Sequence, residues 1–333
     1  MPASRFASLD VGSNTVRLLL AERTNKKKFR PLRVERRITR LGGNLSKTKQ
    51  LDEKAMARTM EALACFSDLL RGEGVEKVWG VATGVVREAG NGQGFLDRVF
   101  QQTGLFLRLL SGEEEGRLML QGALASLRQI HSPRLVVDIG GWSTEIIRVK
   151  GNKPQKIRSL GLGAVALCEK FLKNDPPGLQ EIESMEGYIE GALVEVREWF
   201  GREGLALADL DSNLVGTAGT VTTLAAIHLG LKVYDPGKIN GQRIDRSTLN
   251  NIYHRLRSLP IKERQSIPGL EKGREDLIVA GAAVVFGILK IFHLQTLTAI
   301  DSGLLEGILL DGLSLTPSLF PPEADSAQTP GPQ

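Results

Sequence analysis

The sequence predicts an α/β protein built as two duplicated halves with a cleft between them. Three observations carry this reading. The chain has 333 residues, enough for two domains that each bury a core of their own. Asp10-Val11-Gly12-Ser13 recurs as Asp138-Ile139-Gly140-Gly141, each time after an apolar, β-rich run. A second pair follows in the same order: VWGVATGVVR, Val78 to Arg87, resembles LVGTAGTVTT, Leu214 to Thr223. One match is weak evidence, but an ordered pair at similar separation points to a duplication.

Each copy opens as strand, small-residue turn, strand: FASLD then VRLLLAE, and LVVD then EIIRV. Apolar residues at helical spacing predict helices over Asp52 to Glu73 and Gly178 to Phe200. The VWGVA and LVGT segments read as buried strands, each running into a Gly/Thr turn that opens a helix. The layout is thus a three-stranded meander, a helix, a strand and a further helix, written twice. The division falls near Ser126 to Pro133, giving a first domain over 1–128 and a second over 129–302, with a helix at about 303–313 expected to pack back on the first. The end of the chain, 321–333, is rich in Pro, Ala, Ser and Gln without apolar periodicity and is expected to be a disordered tail.

Composition narrows the function classes. Apolar residues make up 41% and charged residues 24%, as in a soluble globular protein. Aromatics at 5% are few for a protein that stacks on bases, so neither DNA nor other single-stranded nucleic acid is the expected partner. The net charge of +5, with clusters at Lys26-Lys27-Lys28 and from Arg33 to Arg40, suits either a polyanionic ligand or a solvated basic surface. The two cysteines, Cys65 and Cys168, sit in apolar helical contexts without partners at metal-ligand spacing, as core thiols of a reduced, cytoplasmic protein would. The longest apolar stretch, Leu277 to Leu289, is too short and Gly-interrupted to span a membrane. Its four histidines form no His-x-His or His-x-x-x-His pair, and neither a G-x-x-x-x-G-K-[ST] loop nor a G-x-S-x-G elbow occurs.

The turns themselves suggest an anion site. Small residues let backbone amides approach a ligand closely, and Gly12, Ser13, Asn14 and Thr15 are followed by Arg17, a planar cation on the emerging strand. Alone, such a segment is an ordinary hairpin turn. With its copy at Gly140, Gly141, Ser143 and Thr144, and a third small-residue turn containing Gly219 and Thr220 at a helix N-terminus, phosphate binding becomes the better reading. Carboxylates beside phosphate call for a metal or a water to activate. Asp10 and Asp138 end equivalent strands, Glu145 follows the second turn, and Ser111-Gly112-Glu113-Glu114-Glu115-Gly116 opens an amphipathic helix with Ser111 as a candidate N-cap. The glutamates of that run also suit the helix dipole alone.

This combination resembles the exopolyphosphatase and guanosine pentaphosphate phosphohydrolase (Ppx/GppA) phosphatase family, in its short two-domain form. The segments that carry the resemblance are ASLDVGSNTVRLLL, VATGVVREAGN, SGEEEGRL, VVDIGGWSTE, GTAGTVTTLAA and IPGLEKGREDLIVAG, spread over nearly the whole chain. It implies two ribonuclease-H-like domains of the actin, chaperone and sugar-kinase superfamily, and removal by water of the terminal phosphate from polyphosphate or guanosine pentaphosphate. By motif, Glu115 is implied as the general base and Asp138 and Glu145 as candidates to hold magnesium or another divalent cation, with Asp10, expected to face the same cleft, as a further candidate. Arg17 and Arg87 are implied as phosphate ligands, with Glu271 and Arg274 in a motif closing the site from the second half. The family also implies a capacity for homodimer formation. Two positions depart from the family pattern: Trp142 stands where a third glycine is usual, and Leu305 where arginine is common. An ATP-dependent small-molecule kinase and a non-catalytic polyphosphate or nucleotide sensor are the competing readings of the same turns.

Overall fold

In the computed structural model, residues 4–25, 28–126, 134–205 and 207–315 are described. Lys26, Lys27, most of the expected division near 126–133 and the expected tail at 321–333 lie outside them. The first half runs β1 (Arg5–Val11), β2 (Thr15–Asn25), β3 (Lys28–Ile38), α1 (Leu45–Thr48), α2 (Glu53–Gly72), β4 (Lys77–Ala82), α3 (Gly84–Arg87), α4 (Gly92–Thr103) and β5 (Leu107–Leu109). After α5 (Gly112–Ser126), the second half repeats the pattern with β6 (Arg134–Ile139), β7 (Thr144–Lys150), β8 (Lys153–Leu160), α6 (Ala164–Phe171), α7 (Leu179–Arg202), β9 (Asn213–Thr217) and α8 (Ala218–His228). It continues through α9 (Pro236–Ile239), β10 (Arg243–Asp245), α10 (Arg246–Ser258), α11 (Ile261–Arg264), α12 (Ile278–Ile291) and β11 (Thr296–Ala299), and α13 (Leu304–Leu315) follows.

The strands form two sheets, ordered β3-β2-β1-β4-β5 and β10-β11-β9-β6-β7-β8. In each, an antiparallel meander continues through its first strand into two parallel neighbours, β4 and β5 or β9 and β11. Both halves are therefore of the ribonuclease-H type, stacked as in actin-like proteins. The short antiparallel edge strand β10 has no counterpart in the first half and no alternating signal in the sequence.

Local chemistry explains the elements. Strands β1 and β6 are buried almost throughout, as central strands covered on both faces are. The Asp52 carboxylate caps α2 by accepting from the amides of Lys54 and Ala55. Its apolar positions Met56, Leu63, Phe66 and Leu70 face the first core. Cys65 falls on the opposite face and is exposed, so the expectation of a core thiol fails there; Cys168 is half-buried. Only one turn of helix follows β4, where the second half carries the eleven-residue α8.

The two connecting helices are exchanged between the halves. In chain order α5 follows the first half, but it packs across β7 and β8 of the second sheet, because Gly112 and Gly116 let its backbone approach Ser159 and Ile157. In return, α13 lies on β1, β2 and β4 of the first sheet, with Leu305, Leu309 and Leu313 packed on Phe6 and Leu19. The helices touch where Gly122 meets the backbone of Gly303 and Gly307, with no room for a side chain.

Candidate active site

The two duplicated turns meet across the cleft. Each is closed by the same backbone bond, Gly12 N–H to the Thr15 carbonyl and Gly140 N–H to the Ser143 carbonyl, both 3.0 Å. These two glycine amides therefore serve the turn itself. The first turn is anchored by Gly42 N–H, which donates to the Ser13 carbonyl at 2.8 Å, and the second by Val165 N–H at the start of α6, which donates to the Gly141 carbonyl at 2.7 Å. A Cβ at Gly141 would collide with the Ser13 hydroxyl, so glycine is required where the turns touch.

A cavity of about 410 Å³ opens between them. Of the residues expected from sequence it is lined by Asp10, Gly12, Ser13, Asn14, Thr15, Arg17, Glu115, Asp138, Gly140, Gly141, Ser143, Gly219, Thr220 and Arg274. Four others stand behind this wall. Thr144 is buried and donates its hydroxyl to the Leu162 carbonyl at 2.8 Å. Glu145 is buried and accepts from the Ser159 hydroxyl at 2.7 Å. Arg87 donates to the Leu110 carbonyl at 2.7 Å, with the same nitrogen 3.6 Å from Glu115 Oε2. Glu271 accepts from Arg274 at 2.6 Å and also pairs with Arg36 across the cleft.

One end of the cavity is acidic. In the β6–β7 register Asp138 stands opposite Glu145, and α5 delivers Glu115 beside them. Ser111 and Glu114 form a capping box at the start of that helix, Glu114 N–H donating to the Ser111 hydroxyl and Ser111 N–H to the Glu114 carboxylate. Burial, followed by the charges of Glu145, Asp138 and Asp10, holds the Glu115 carboxyl well above its ordinary range despite Arg87. Burial likewise raises Asp138 to about 6, with Arg17 opposing and Asp10 adding to it, and raises Glu145 to about 7 with the help of Asp138.

The other end is cationic. Arg17 donates twice to Asp10 Oδ2, at 2.6 and 3.0 Å. Arg274 lies over Gly219, where a Cβ would overlap its guanidinium. Arg36 and Arg274 are each lowered to about 10, by burial and by the neighbouring arginines. Cations that repel one another in a partly dry cavity favour an anionic ligand. The turn beneath Arg274 is strained: Ala218 has φ +67°, in the left-handed region that non-glycine residues seldom occupy.

Two buried carboxylate oxygens, Asp10 Oδ1 and Glu115 Oε2, have no hydrogen-bond partner among the described residues. Among those residues no cluster of three or more His, Cys, Asp or Glu converges to cage a metal. The donor set fits magnesium nonetheless, since that ion binds through one or two carboxylates and completes its shell with water and phosphate oxygens.

Sequence reasoning missed several lining residues. Arg36 lies in the basic run from Arg33 to Arg40, whose charge suits a polyanionic ligand or a solvated surface but singles out no one residue. Asp301 and Glu306 flank the segment noted for Leu305, and Tyr234 carries no local signal. Glu306 is half-buried, and desolvation raises its carboxyl above the ordinary range although it accepts from Gly303 N–H at 2.7 Å. Trp142 lines the cavity and also packs on the first-half core, 3.4 Å from a Cβ placed on Gly84. It therefore fills the seam between the halves. Leu305 is buried and lends the cavity no charge.

Two actin-like halves closing on a cavity with an acidic and an arginine-lined end define a phosphate-handling protein of the actin-like class. The chain belongs to the Ppx/GppA phosphatase family, whose model matches residues 20–316. It is 31% identical over 322 residues to a Mycobacterium tuberculosis protein named exopolyphosphatase 2, covering 93% of this chain and 99% of that one. It is 27% identical to an Aliivibrio fischeri guanosine-5'-triphosphate,3'-diphosphate pyrophosphatase, covering 91% of this chain and 58% of the other. Among solved structures, the Aquifex aeolicus family member superposes with a TM-score of 0.76 at 32% identity, covering 94% of this chain and 98% of that one. An exopolyphosphatase from Cytophaga hutchinsonii superposes with a TM-score of 0.84 at 25% identity, covering 93% and 98%. Among the described residues no helix is long and apolar enough to cross a membrane.

Proposed function

We propose that the protein is a phosphohydrolase that releases the terminal phosphate of inorganic polyphosphate, of guanosine pentaphosphate, or of both. The observation that carries this reading is the polarity of the cavity, with Arg17, Arg36 and Arg274 at one end and Glu115 and Asp138, backed by Glu145, at the other. The arginines neutralise a phosphate chain, and Ser13, Asn14, Thr15, Ser143 and Thr220 hydrogen-bond it, with Gly12, Gly140, Gly141 and Gly219 allowing close approach. The terminal phosphorus then faces the acidic end. There Glu115 orients a water and accepts its proton as the water oxygen bonds phosphorus and the bridging P–O bond breaks; the shortened chain departs with the bond's electron pair.

A carboxylate with an elevated pKa is a stronger base near neutral pH, which suits Glu115 to this task. Arg87 positions Glu115, and Glu271 positions Arg274 and Arg36. Asp138, Glu145 and the unpartnered oxygen of Asp10 would hold magnesium. When bound, that ion neutralises charge on the phosphate oxygens. The names of the Mycobacterium tuberculosis and Aliivibrio fischeri relatives support both substrates.

The test is phosphate release by purified protein from long polyphosphate and from guanosine pentaphosphate, side by side, with magnesium and with a chelator. Release from at least one, abolished by the chelator, is the expected result. Tight binding of both without any release would replace hydrolase by sensor.

A further inference from the structure

A second cavity, of about 340 Å³, lies between the halves on the far side of the GSNT turn. Arg40 and Gly43 of the first half line it, with Val165, Leu172, Ile261 and Leu277 of the second. Ser13 and Asn14 line both cavities. Its size, its largely apolar wall and its place at a domain interface are those of a small-molecule pocket.

The charged groups in its wall are already matched. Arg40 pairs with Asp276 across the seam at 2.7 Å. Arg264, only 2% exposed, donates to the Leu259 carbonyl at 2.8 Å and to Asp175 at 3.0 Å. Glu169 accepts from the hydroxyl and amide of Ser46, and Lys173 donates to the Glu169 carbonyl. Three cations face three anions, so the pocket has no net call for an ion. What is unmatched is Asn14, 6% exposed, with neither Oδ1 nor Nδ2 holding a hydrogen-bond partner. An idle buried carboxamide is costly, and its adjacent acceptor and donor complement a ligand edge that carries a donor beside an acceptor. Asn reads the edge of a purine in this way.

We propose that this cavity is a second ligand site, which takes an uncharged purine nucleoside with its ring against Leu172, Ile261 and Leu277 and its hydrogen-bonding edge on Asn14. Occupation draws the Asn14 carboxamide away from the phosphate cavity, so the nucleoside raises KM for the phosphate substrate. That coupling rests on the proposed function; binding does not.

The experiment is calorimetric titration of adenosine and of guanosine into the full-length protein, free of substrate, and into Leu172→Trp and Ile261→Trp, two half-buried wall positions on separate segments. The expected result is binding of at least one nucleoside with Kd below about 1 mM. Either substitution should weaken it about tenfold or more while changing phosphate release less than about twofold, and the nucleoside should raise KM in the unaltered protein. Absence of binding by both nucleosides overturns the proposal. Undiminished binding in both variants overturns it too, by placing the nucleoside elsewhere. Because the titration needs no turnover, a protein that binds nucleoside but releases no phosphate would refute the catalytic reading and leave this one standing.

Discussion

Arg17 and Glu145 occupy the same position in two copies of one motif. Arg17 stands opposite Asp10 in the β1–β2 register, and Glu145 stands opposite Asp138 in the β6–β7 register. The first copy is thus an ion pair and the second a pair of acids. A duplication that left the backbone alike has made the cavity electrically unlike at its two ends.

Glu115→Gln should leave the fold intact and reduce kcat for phosphate release by about 10²-fold to 10⁴-fold, the usual worth of a general base. Since the substitution also removes a buried charge from an acidic cluster, the melting temperature should hold or rise. Steady-state phosphate release together with thermal unfolding checks both; turnover within twofold of the unaltered protein would take Glu115 out of the mechanism.

The raised acids set a pH dependence in the presence of chelator. Asp138 titrates near 6 and Glu145 near 7 in the folded protein, above their ordinary values of 3.8 and 4.5. Their contribution to stability is fully present below about pH 4 and is lost as pH rises through 6 and 7, at up to about 1.4 kcal/mol per pH unit for each group. Unfolding in denaturant at pH 5 and pH 8 should show the loss, and Glu145→Gln should flatten it. A slope unchanged by that substitution would contradict the assignment.

Arg17→Met strands Asp10 in a buried site and should cost about 3–5 kcal/mol. The double substitution Asp10→Asn with Arg17→Met should recover most of that stability without recovering turnover, because the phosphate ligand is still missing. Denaturant midpoints for the two single variants and the double one form the necessary cycle; additive losses would mean that the pair is not coupled.

Trp142→Gly restores the glycine usual in the family and empties the seam beside Gly84. About 1–3 kcal/mol of stability should be lost through the vacated packing. Equal denaturant midpoints for the two proteins would show that the indole is not packed between the halves.

What could be read from the sequence followed the range of its interactions. The duplicated turns, the helices over 53–72 and 179–202 and about half of the cavity wall are local patterns, visible as apolar period and small-residue clusters. Arg36, Tyr234 and Glu306 reach the cavity from segments far apart in the chain, and no local pattern announces where a distant side chain ends up. The same limit hid the exchange of α5 and α13, because the apolar period of a helix marks a buried face without naming what buries it. Cys65 went wrong for a nearer reason: it shares a helix with core residues but falls between their positions.

The contact of Gly122 with Gly303 and Gly307 has a mechanical meaning. The chain passes between the halves before α5 and again before α13, and at Gly122 the two helices come together backbone to backbone. Side chains lock the same place from either side, Leu118 on Leu304 and Ile308 and Arg117 on Asp311 at 3.3 Å. Both crossings of the chain are therefore fastened at one rivet, and the two cavities lie between halves that share it.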